Sequence, residues 1–244
     1  MTVPLLLVLL AGPQVEKIDV AGLERSYLVF APNTQTKAPP LVFGFHGHGG
    51  NMRQASRSFR MHEEMPEAVV VYMDGLPTAG KTDPEGKKQG WQQNSGTYDD
   101  RDLRFFDAVY SAVTKKYGID ASKVYSMGHS NGGRFTYLLW KERADKFAAF
   151  GPSGSPSFLE ELAPKPVFHV AGEKDPVVAF LGQRLSVQRQ MRTNGCDSTP
   201  SSVDGYVKTY KGKDGADVAA YFHPGGHEFP RDVPGLLAEF FRAH

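Results

Sequence analysis

A serine lies between two glycines in the stretch KVYSMGHSNGGRF, where a strand-like run becomes a helix-like run. The segment GHSNG fits the pattern G-x-S-x-G, in which small flanking residues let a strand turn sharply into a helix and expose the serine hydroxyl. The amides that begin the helix face the same point, where negative charge is favoured. A five-residue pattern also arises by chance, but the strand before it and the helix after it are the context that the motif requires. The pattern predicts that Ser130 is a nucleophile.

A serine hydroxyl needs a base, and the base needs an acid that orients it. On sheets that carry this motif the chain order is serine, acid, histidine. Asp175 lies in the loop that follows the run VFHVAG, and His227 lies in the glycine-flanked stretch HPGGHEFP after the next strand-like run. Ligands bind outside the carboxyl ends of strands in open α/β sheets. The sequence therefore predicts a triad of Ser130, Asp175 and His227.

Neighbouring residues of the same types are alternatives for the acid and the base. Glu173 is the alternative acid, although it follows its strand more directly than Asp175 and lacks the proline that ends the loop. His223 is the alternative base, but its place at a strand end before a proline is more typical of a packed histidine. His169 lies within an apolar strand and is expected in the core. His223 and His227 have the spacing of a helical metal site, but Pro-Gly-Gly between them precludes a helix, and we expect no metal.

The stretch HGHGG, residues 46–50, follows the early strand-like run LVFGF. An oxyanion hole on this kind of sheet uses the N–H after the nucleophile and one N–H from this early loop. Glycines here would let the backbone approach a substrate closely. A glycine-rich turn with solvated histidines is the alternative interpretation. The prediction assigns the two donors to the backbone amides of His48 and Asn131.

Composition limits the classes of protein that remain. The 244 residues are 40% hydrophobic, which suffices for one domain with a sizeable core. The 28 Lys and Arg nearly balance the 27 Asp and Glu, without a basic stripe, so we expect no nucleic-acid partner. Cys196 is the only cysteine, which excludes an intrachain disulfide and a CxxC motif.

Strand-like runs alternate with helix-length segments along the chain. The predicted strands are Tyr27 to Phe30, Leu41 to Phe45, Val69 to Met73, Val124 to Met127, Phe147 to Phe150, Val167 to Ala171 and Val218 to Phe222. The predicted helices cover residues 103–117, 132–143, 178–192 and 234–242. This alternation predicts an α/β fold with a mostly parallel central sheet and helices on both faces.

One connection, from Asp74 to Arg101, is rich in glycine, proline and charge and shows little periodicity over about two dozen residues. A loop of that length inside a domain is usually functional or disordered. We predict a partly ordered loop near the site, with Trp91 as a substrate-binding residue. The alternative is that Trp91 anchors the loop to the body of the domain.

The first residues contain an apolar run from Pro4 to Ala11 that is too short to span a bilayer. It is interpreted as part of a secretory signal, although it lacks a basic n-region and a clean cleavage site; a first strand or a truncated terminus is the alternative. The predicted organisation is a signal peptide or extension over residues 1–14 and one catalytic domain over residues 15–244. The expected location is secreted or periplasmic.

At these motifs the sequence resembles the α/β-hydrolase esterases grouped with polyhydroxybutyrate depolymerases, feruloyl esterases and acetylxylan esterases. The matching stretches are FHGHGG, the GW at Gly90 and Trp91, the acidic helix start near Asp102, IDASKVYSMGHSNGG, AGEKDPVV and GGHEFP. The resemblance implies an α/β-hydrolase fold without a separate lid domain, with Ser130, Asp175 and His227 as the triad and with no cofactor. Members are usually secreted.

The sequence departs from the family in two places. GGHEFP stands where members have GGHTWP, and Cys196 looks like one half of a cysteine pair whose partner is missing. The predicted function is hydrolysis of carboxylic esters through an acyl-enzyme, on feruloyl or acetyl esters of plant polysaccharide. The alternatives are a polyhydroxyalkanoate or polyester depolymerase, an acyltransferase, and a catalytically silent binding protein on a hydrolase scaffold.

Overall fold

The computed structural model describes residues 12–34, 36–80 and 83–244. Their strands are β1 (Gln14–Val20), β2 (Leu23–Phe30), β3 (Leu41–Phe45), β4 (Val69–Met73), β5 (Leu76–Pro77), β6 (Gln89–Gly90), β7 (Val124–His129), β8 (Ala149–Ser153), β9 (Val167–Gly172), β10 (Ser202–Asp204), β11 (Val207–Tyr210) and β12 (Val218–His223). The helices are α1 (Met52–Phe59), α2 (Met61–Glu64), α3 (Arg101–Tyr117), α4 (Asn131–Arg143), α5 (Phe180–Thr193) and α6 (Val233–Arg242). The apolar run interpreted as part of a signal lies outside the described residues.

The described strands form a ten-stranded sheet in the order β1-β2-β4-β3-β7-β8-β9-β12-β11-β10, and β5 pairs separately with β6. The six central strands, from β4 to β12, are parallel, whereas β1, β2, β10 and β11 add antiparallel edges. Strands β3, β4, β8 and β9 are buried along their whole length. Their mostly apolar character, interrupted by Ser153 in β8 and His169 in β9, is typical of parallel strands covered on both faces. The predicted α/β class and mostly parallel sheet are confirmed.

Two apolar cores lie on opposite faces of the sheet. One contains side chains of α3 and α4, including Phe106 and Trp140. The other contains side chains of α1 and α6, including Phe59 and Phe241. Each of these helices places an apolar stripe on the sheet, as expected for amphipathic helices. None of the helices within the described part of the chain has both the length and the apolar character needed to cross a membrane.

The carboxyl ends of the parallel strands lie at one edge of the sheet. The loop of residues 46–50 follows β3, Ser130 follows β7, Asp175 follows β9 and His227 follows β12. Strands β3, β7, β8, β9 and β12 are consecutive neighbours in the sheet. The topology therefore gathers the residues predicted to do chemistry above a single edge.

Candidate active site

Ser130 lies at a sharp turn between β7 and α4. Its φ is 56° and its ψ is −120°, a conformation that residues other than glycine rarely adopt. The two flanking glycines make room for the turn: a Cβ on Gly128 would clash with the Gly132 carbonyl, and a Cβ on Gly132 would clash with the Phe45 carbonyl. The turn therefore depends on glycine at both positions, and it leaves the serine side chain at the head of the helix.

The structure brings Ser130, His227 and Asp175 together. His227 Nε2 lies 2.8 Å from Ser130 Oγ, and His227 Nδ1 lies 2.7 Å from Asp175 Oδ2. An ionised carboxylate only accepts hydrogen bonds, so Nδ1 carries the proton in this arrangement and Nε2 is free to accept from the serine hydroxyl. The Asp175 carboxylate is fully buried, and His227 keeps 18% of its side chain exposed.

The Asp175 carboxylate is held by more than the histidine. Its Oδ1 accepts the backbone N–H groups of Val177 and Val178, both at 2.8 Å, and Gln183 Nε2 lies 3.4 Å from Oδ2. Burial by itself raises the pKa of Asp175, but the hydrogen bonds from His227 and from the two amides outweigh it and hold the pKa below its ordinary value. The carboxylate is therefore ionised and fixed in orientation at neutral pH.

The alternative residues occupy other positions. Glu173 is exposed, and its carboxylate has no hydrogen-bond partner among the described residues. His223 is buried, and its Nδ1 accepts the Gly225 N–H at 3.2 Å. His169 is fully buried, its Nδ1 is 2.7 Å from the Tyr137 hydroxyl, and burial lowers its pKa to about 4. Among these candidates, only Asp175 and His227 are joined in series to Ser130 by hydrogen bonds.

The early glycine-rich loop lies against the serine. A Cβ on Gly47 would come within 3.5 Å of the Ser130 Cβ, so this backbone passes beside the nucleophile position. Within the described chain, the amides of His48 and Asn131 have no hydrogen-bond acceptor. The His48 ring is held by Asp83, with Nε2 3.2 Å from Oδ2. Both predicted donors are therefore unoccupied and lie on the segments that flank Ser130.

The prediction that Trp91 contacts substrate is corrected by its position. Its side chain is fully buried, stacks on Phe135 with ring centroids 5.2 Å apart, and donates its indole N–H to the His46 carbonyl at 2.9 Å. The Trp91 backbone N–H also donates to Asn131 Oδ1 at 2.6 Å. Trp91 thus anchors the long loop to the core and to the turn at Ser130, and lines neither of the two clefts at the site.

Another histidine adjoins the site that sequence reasoning did not single out. The rings of His129 and His227 have centroids 4.8 Å apart, and His129 Nδ1 lies 3.0 Å from Ser153 Oγ. Burial, with the neighbouring His227 as a smaller cause, lowers the pKa of His129 to about 4. His129 is therefore neutral near pH 7 and adds no charge beside the base. In the sequence, the position of His129 directly before Ser130 in the motif is the feature that could have placed it next to the site.

Two clefts meet at Ser130. The smaller encloses about 350 Å³ and includes His227 in its wall, whereas the larger encloses about 630 Å³ and includes Arg134 and Phe158. Ser130 and His48 line both clefts. A carbonyl group bound next to Ser130 Oγ would therefore border both clefts, one with the base in its wall and one with the start of α4 in its wall.

Known proteins with similar sequences are esterases. The chain is 29% identical over 234 residues to a probable feruloyl esterase C of Aspergillus clavatus, covering 88% of this chain and 80% of that protein. It is 29% identical over 164 residues to a bifunctional acetylxylan esterase/xylanase of Neocallimastix patriciarum, covering 65% of this chain. The matched part spans only 22% of that bifunctional relative. No protein-family model matches the chain.

Solved structures give the same fold. An acetyl xylan esterase from Aspergillus awamori superposes with a TM-score of 0.64 at 16% identity, over 95% of this chain and 100% of that one. The sheet order, the strained serine between β7 and α4 and these likenesses define an α/β-hydrolase fold. The sequence relatives, which are named feruloyl esterase and acetylxylan esterase, support a carboxylic-ester hydrolase on that fold.

Proposed function

We propose that the chain hydrolyses carboxylic esters through an acyl-enzyme on Ser130, with His227 as the general base and Asp175 as the acid that orients it. The observation that carries the proposal is the continuous chain of hydrogen bonds from Ser130 Oγ through both ring nitrogens of His227 to the buried Asp175 carboxylate. Residues 15–244 are proposed to act as one catalytic domain, without a cofactor.

In the proposed mechanism His227 Nε2 takes the hydroxyl proton while Ser130 Oγ attacks the ester carbonyl. The His48 and Asn131 amides donate to the oxyanion that forms. Collapse of this intermediate breaks the bond to the alcohol oxygen, which receives the proton from His227. A water then attacks the acyl-enzyme with His227 again as base, and the acid is released as Ser130 regains its proton.

The two clefts divide the substrate between them. The alcohol oxygen must lie within hydrogen-bond reach of His227 when it leaves, and His227 lines the smaller cleft but not the larger one. The alcohol part is therefore assigned to the smaller cleft. The acyl part is assigned to the larger cleft, whose wall includes Phe158, Pro156 and Val178.

The proposed substrates are feruloyl or acetyl esters of plant polysaccharide. This choice is supported by the sequence relatives, which are named feruloyl esterase and acetylxylan esterase. It is also supported by the apolar wall of the larger cleft, to which Phe158 contributes an aromatic side chain that could pack against a planar acyl group. A secreted or periplasmic location is part of the same proposal, because the polysaccharide lies outside the cell.

A polyester is the second candidate substrate. It is favoured by apolar side chains that stand exposed at the mouth of the larger cleft, where Phe158 is 65% and Val177 is 50% exposed. Large exposed apolar side chains beside a cleft can rest on an apolar surface. Release of soluble hydroxy acid from a polyhydroxybutyrate suspension, measured beside the release of ferulate and acetate from polysaccharide, decides between the two candidates.

The proposed chemistry is tested with 4-nitrophenyl acetate and the Ser130→Ala variant. The wild type should release nitrophenol at a steady rate, and the variant should lose at least three orders of magnitude, about 10³, because removal of the nucleophile leaves only binding and the oxyanion donors. Circular dichroism checks that both proteins are folded. Equal rates for the two folded proteins would refute the nucleophile and favour a catalytically silent binding protein. Methyl ester formation in added methanol would reveal acyl transfer.

A further inference from the structure

Arg134 is a charged residue of the larger cleft that the proposed chemistry does not use. It lies one turn into α4, where its backbone N–H donates to the Ser130 carbonyl at 3.0 Å. Its guanidinium carbon lies 4.7 Å from the centre of the Phe158 ring. Both side chains line the larger cleft. A cation and an aromatic face therefore stand together in the part of the site assigned to the acyl group.

Arg134 differs from the other enclosed arginines in having no polar partner. Each other arginine in the described chain that is buried or partly buried donates to a carboxylate or a carbonyl oxygen; these are Arg25, Arg60, Arg101, Arg104 and Arg143. The Arg134 guanidinium makes no hydrogen bond or ion pair with any residue that the structure describes. The remaining arginines without a side-chain partner are exposed to water.

The surroundings of Arg134 leave its charge uncompensated. Burial lowers the pKa of Arg134, and no neighbouring carboxylate in the described chain offsets that effect. The described wall of the larger cleft contains no Asp, Glu or Lys, and Arg134 is its one residue with a permanent charge. The Asp175 carboxylate, on the loop whose Pro176 and Val177 line this cleft, is already bound to His227 and to two backbone amides. A partly desolvated cation without a partner attracts an anion more strongly than one in open water.

We propose that Arg134 is a specificity-determining residue that pairs with an anionic group, a carboxylate in particular, at the far end of the acyl group. Phe158 would support the planar or apolar body of the acyl group while the planar guanidinium donates two parallel hydrogen bonds to the carboxylate. A phenolic hydroxyl in the same place accepts a single hydrogen bond. We therefore expect the kcat/KM for a hydroxycinnamoyl ester to lie between the values for a carboxylated and an unsubstituted acyl group. The inference rests on the proposed function, since it concerns the acyl side of the same site.

The test uses three methyl esters that differ only at the far end of the acyl group: methyl cinnamate, methyl 4-carboxycinnamate and methyl 4-carbamoylcinnamate. The carboxamide has the shape of the carboxylate without its charge. We expect the wild type to show a kcat/KM for the carboxylate about tenfold above that for the carboxamide, as a charge-assisted hydrogen bond provides. In Arg134→Gln the ratio should fall to about one. Arg134→Lys should keep a ratio between that value and the wild-type ratio, because lysine keeps the positive charge but lacks the paired donors of the planar guanidinium.

Arg192→Gln is the matched control, because Arg192 is an exposed arginine at the opposite end of α5 from the site. It removes the same charge and should keep the wild-type ratio. The wild-type ratio should also shrink as salt is raised. A ratio near one in the wild type, or an unchanged ratio in Arg134→Gln, would overturn the inference while leaving ester hydrolysis intact.

Failure of the proposed function would look different, because none of the three esters would be hydrolysed. In that case binding of methyl 4-carboxycinnamate to Ser130→Ala, measured by calorimetry, decides the inference separately. Weaker binding by about tenfold in the Ser130→Ala, Arg134→Gln double variant supports the anion site. Equal binding by the two proteins refutes it.

Discussion

Replacement of Asp175 by asparagine should disable the base without unfolding the protein. The carboxylate Oδ1 accepts two backbone amides, from Val177 and Val178, while Oδ2 faces His227 Nδ1. An asparagine side chain can satisfy both amides only if its oxygen takes the Oδ1 position. Its NH₂ group then points at His227 and donates to Nδ1, which forces the imidazole proton onto Nε2. In that tautomer Nε2 cannot accept the proton of Ser130.

The alternative orientation of the amide is less stable. If the amide oxygen and NH₂ group exchanged places, His227 would recover the correct tautomer. The two backbone N–H groups would then face an NH₂ group, and each lost hydrogen bond would cost about 1–3 kcal/mol. The wrong tautomer is therefore expected to dominate in Asp175→Asn. The expected fall in kcat is about 10⁴-fold, which corresponds to about 5 kcal/mol of transition-state stabilisation.

The assay is the steady-state hydrolysis of 4-nitrophenyl acetate and methyl ferulate by wild type, Asp175→Asn and Glu173→Gln. Glu173→Gln makes the same chemical change on the exposed acid of the same loop and should stay within about twofold of wild type, as surface substitutions usually do. Asp175→Asn should keep its circular dichroism spectrum. An active Asp175→Asn beside an inactive Glu173→Gln would refute the reasoning and assign the acid to Glu173.

Further perturbations test the turn, the loop anchor, the thiol and the acid limb. Gly132→Ala should destabilise the protein by about 3 kcal/mol, measured by denaturant unfolding, because the clash of the new Cβ with the Phe45 carbonyl exceeds the gain of about 1 kcal/mol in helix propensity. Trp91→Ala should lower the free energy of unfolding by about 3–5 kcal/mol, and Trp91→Phe should lower it less, because the side chain is buried. A Trp91→Ala variant with a raised KM and unchanged stability would contradict the buried position. Cys196→Ser should leave ester hydrolysis within about twofold, and the native thiol should react slowly with a disulfide reagent because burial raises its pKa. Wild type should be more stable than Asp175→Asn above about pH 4, because the pKa of the folded carboxylate lies below its ordinary value. This difference in stability should shrink as the pH falls through that lowered pKa. Thermal unfolding between about pH 7 and 2 would measure it.

The elements that sequence reasoning locates are those in which local pattern and tertiary environment agree. Strands β3 and β4 are predicted at their observed bounds because LVFGF and VVVYM are apolar throughout and lie in the middle of the sheet. Helices α3 and α4 are predicted within two residues of their observed starts because their apolar residues recur at helical spacing. The triad positions follow from chain order and strand ends, which the parallel sheet converts into proximity.

The elements that sequence reasoning misses lack such agreement. The strand β1 alternates polar or charged residues with apolar ones at an exposed edge, and β10 and β11 are short strands at the other end of the sheet with little burial. Helix α1 is polar along most of its length and buries few side chains. The position of Trp91 depends on the core residues that surround it, which lie far away in the sequence. The sequence gives only weak evidence for a role of Arg134, which is a cation in the first turns of a helix that is otherwise mostly buried.

The meeting of two clefts at a single serine has a consequence for the order of events in turnover. On the proposed assignment of the clefts, the alcohol departs through the smaller opening while the acyl group stays bound in the larger one, so the first product leaves before the second is formed. The vacated opening is the route by which water, or a second alcohol, reaches the acyl-enzyme. Free acid should accordingly compete with the ester for the larger opening, whereas alcohol should divert the intermediate toward synthesis and shift the ratio of hydrolysis to ester exchange.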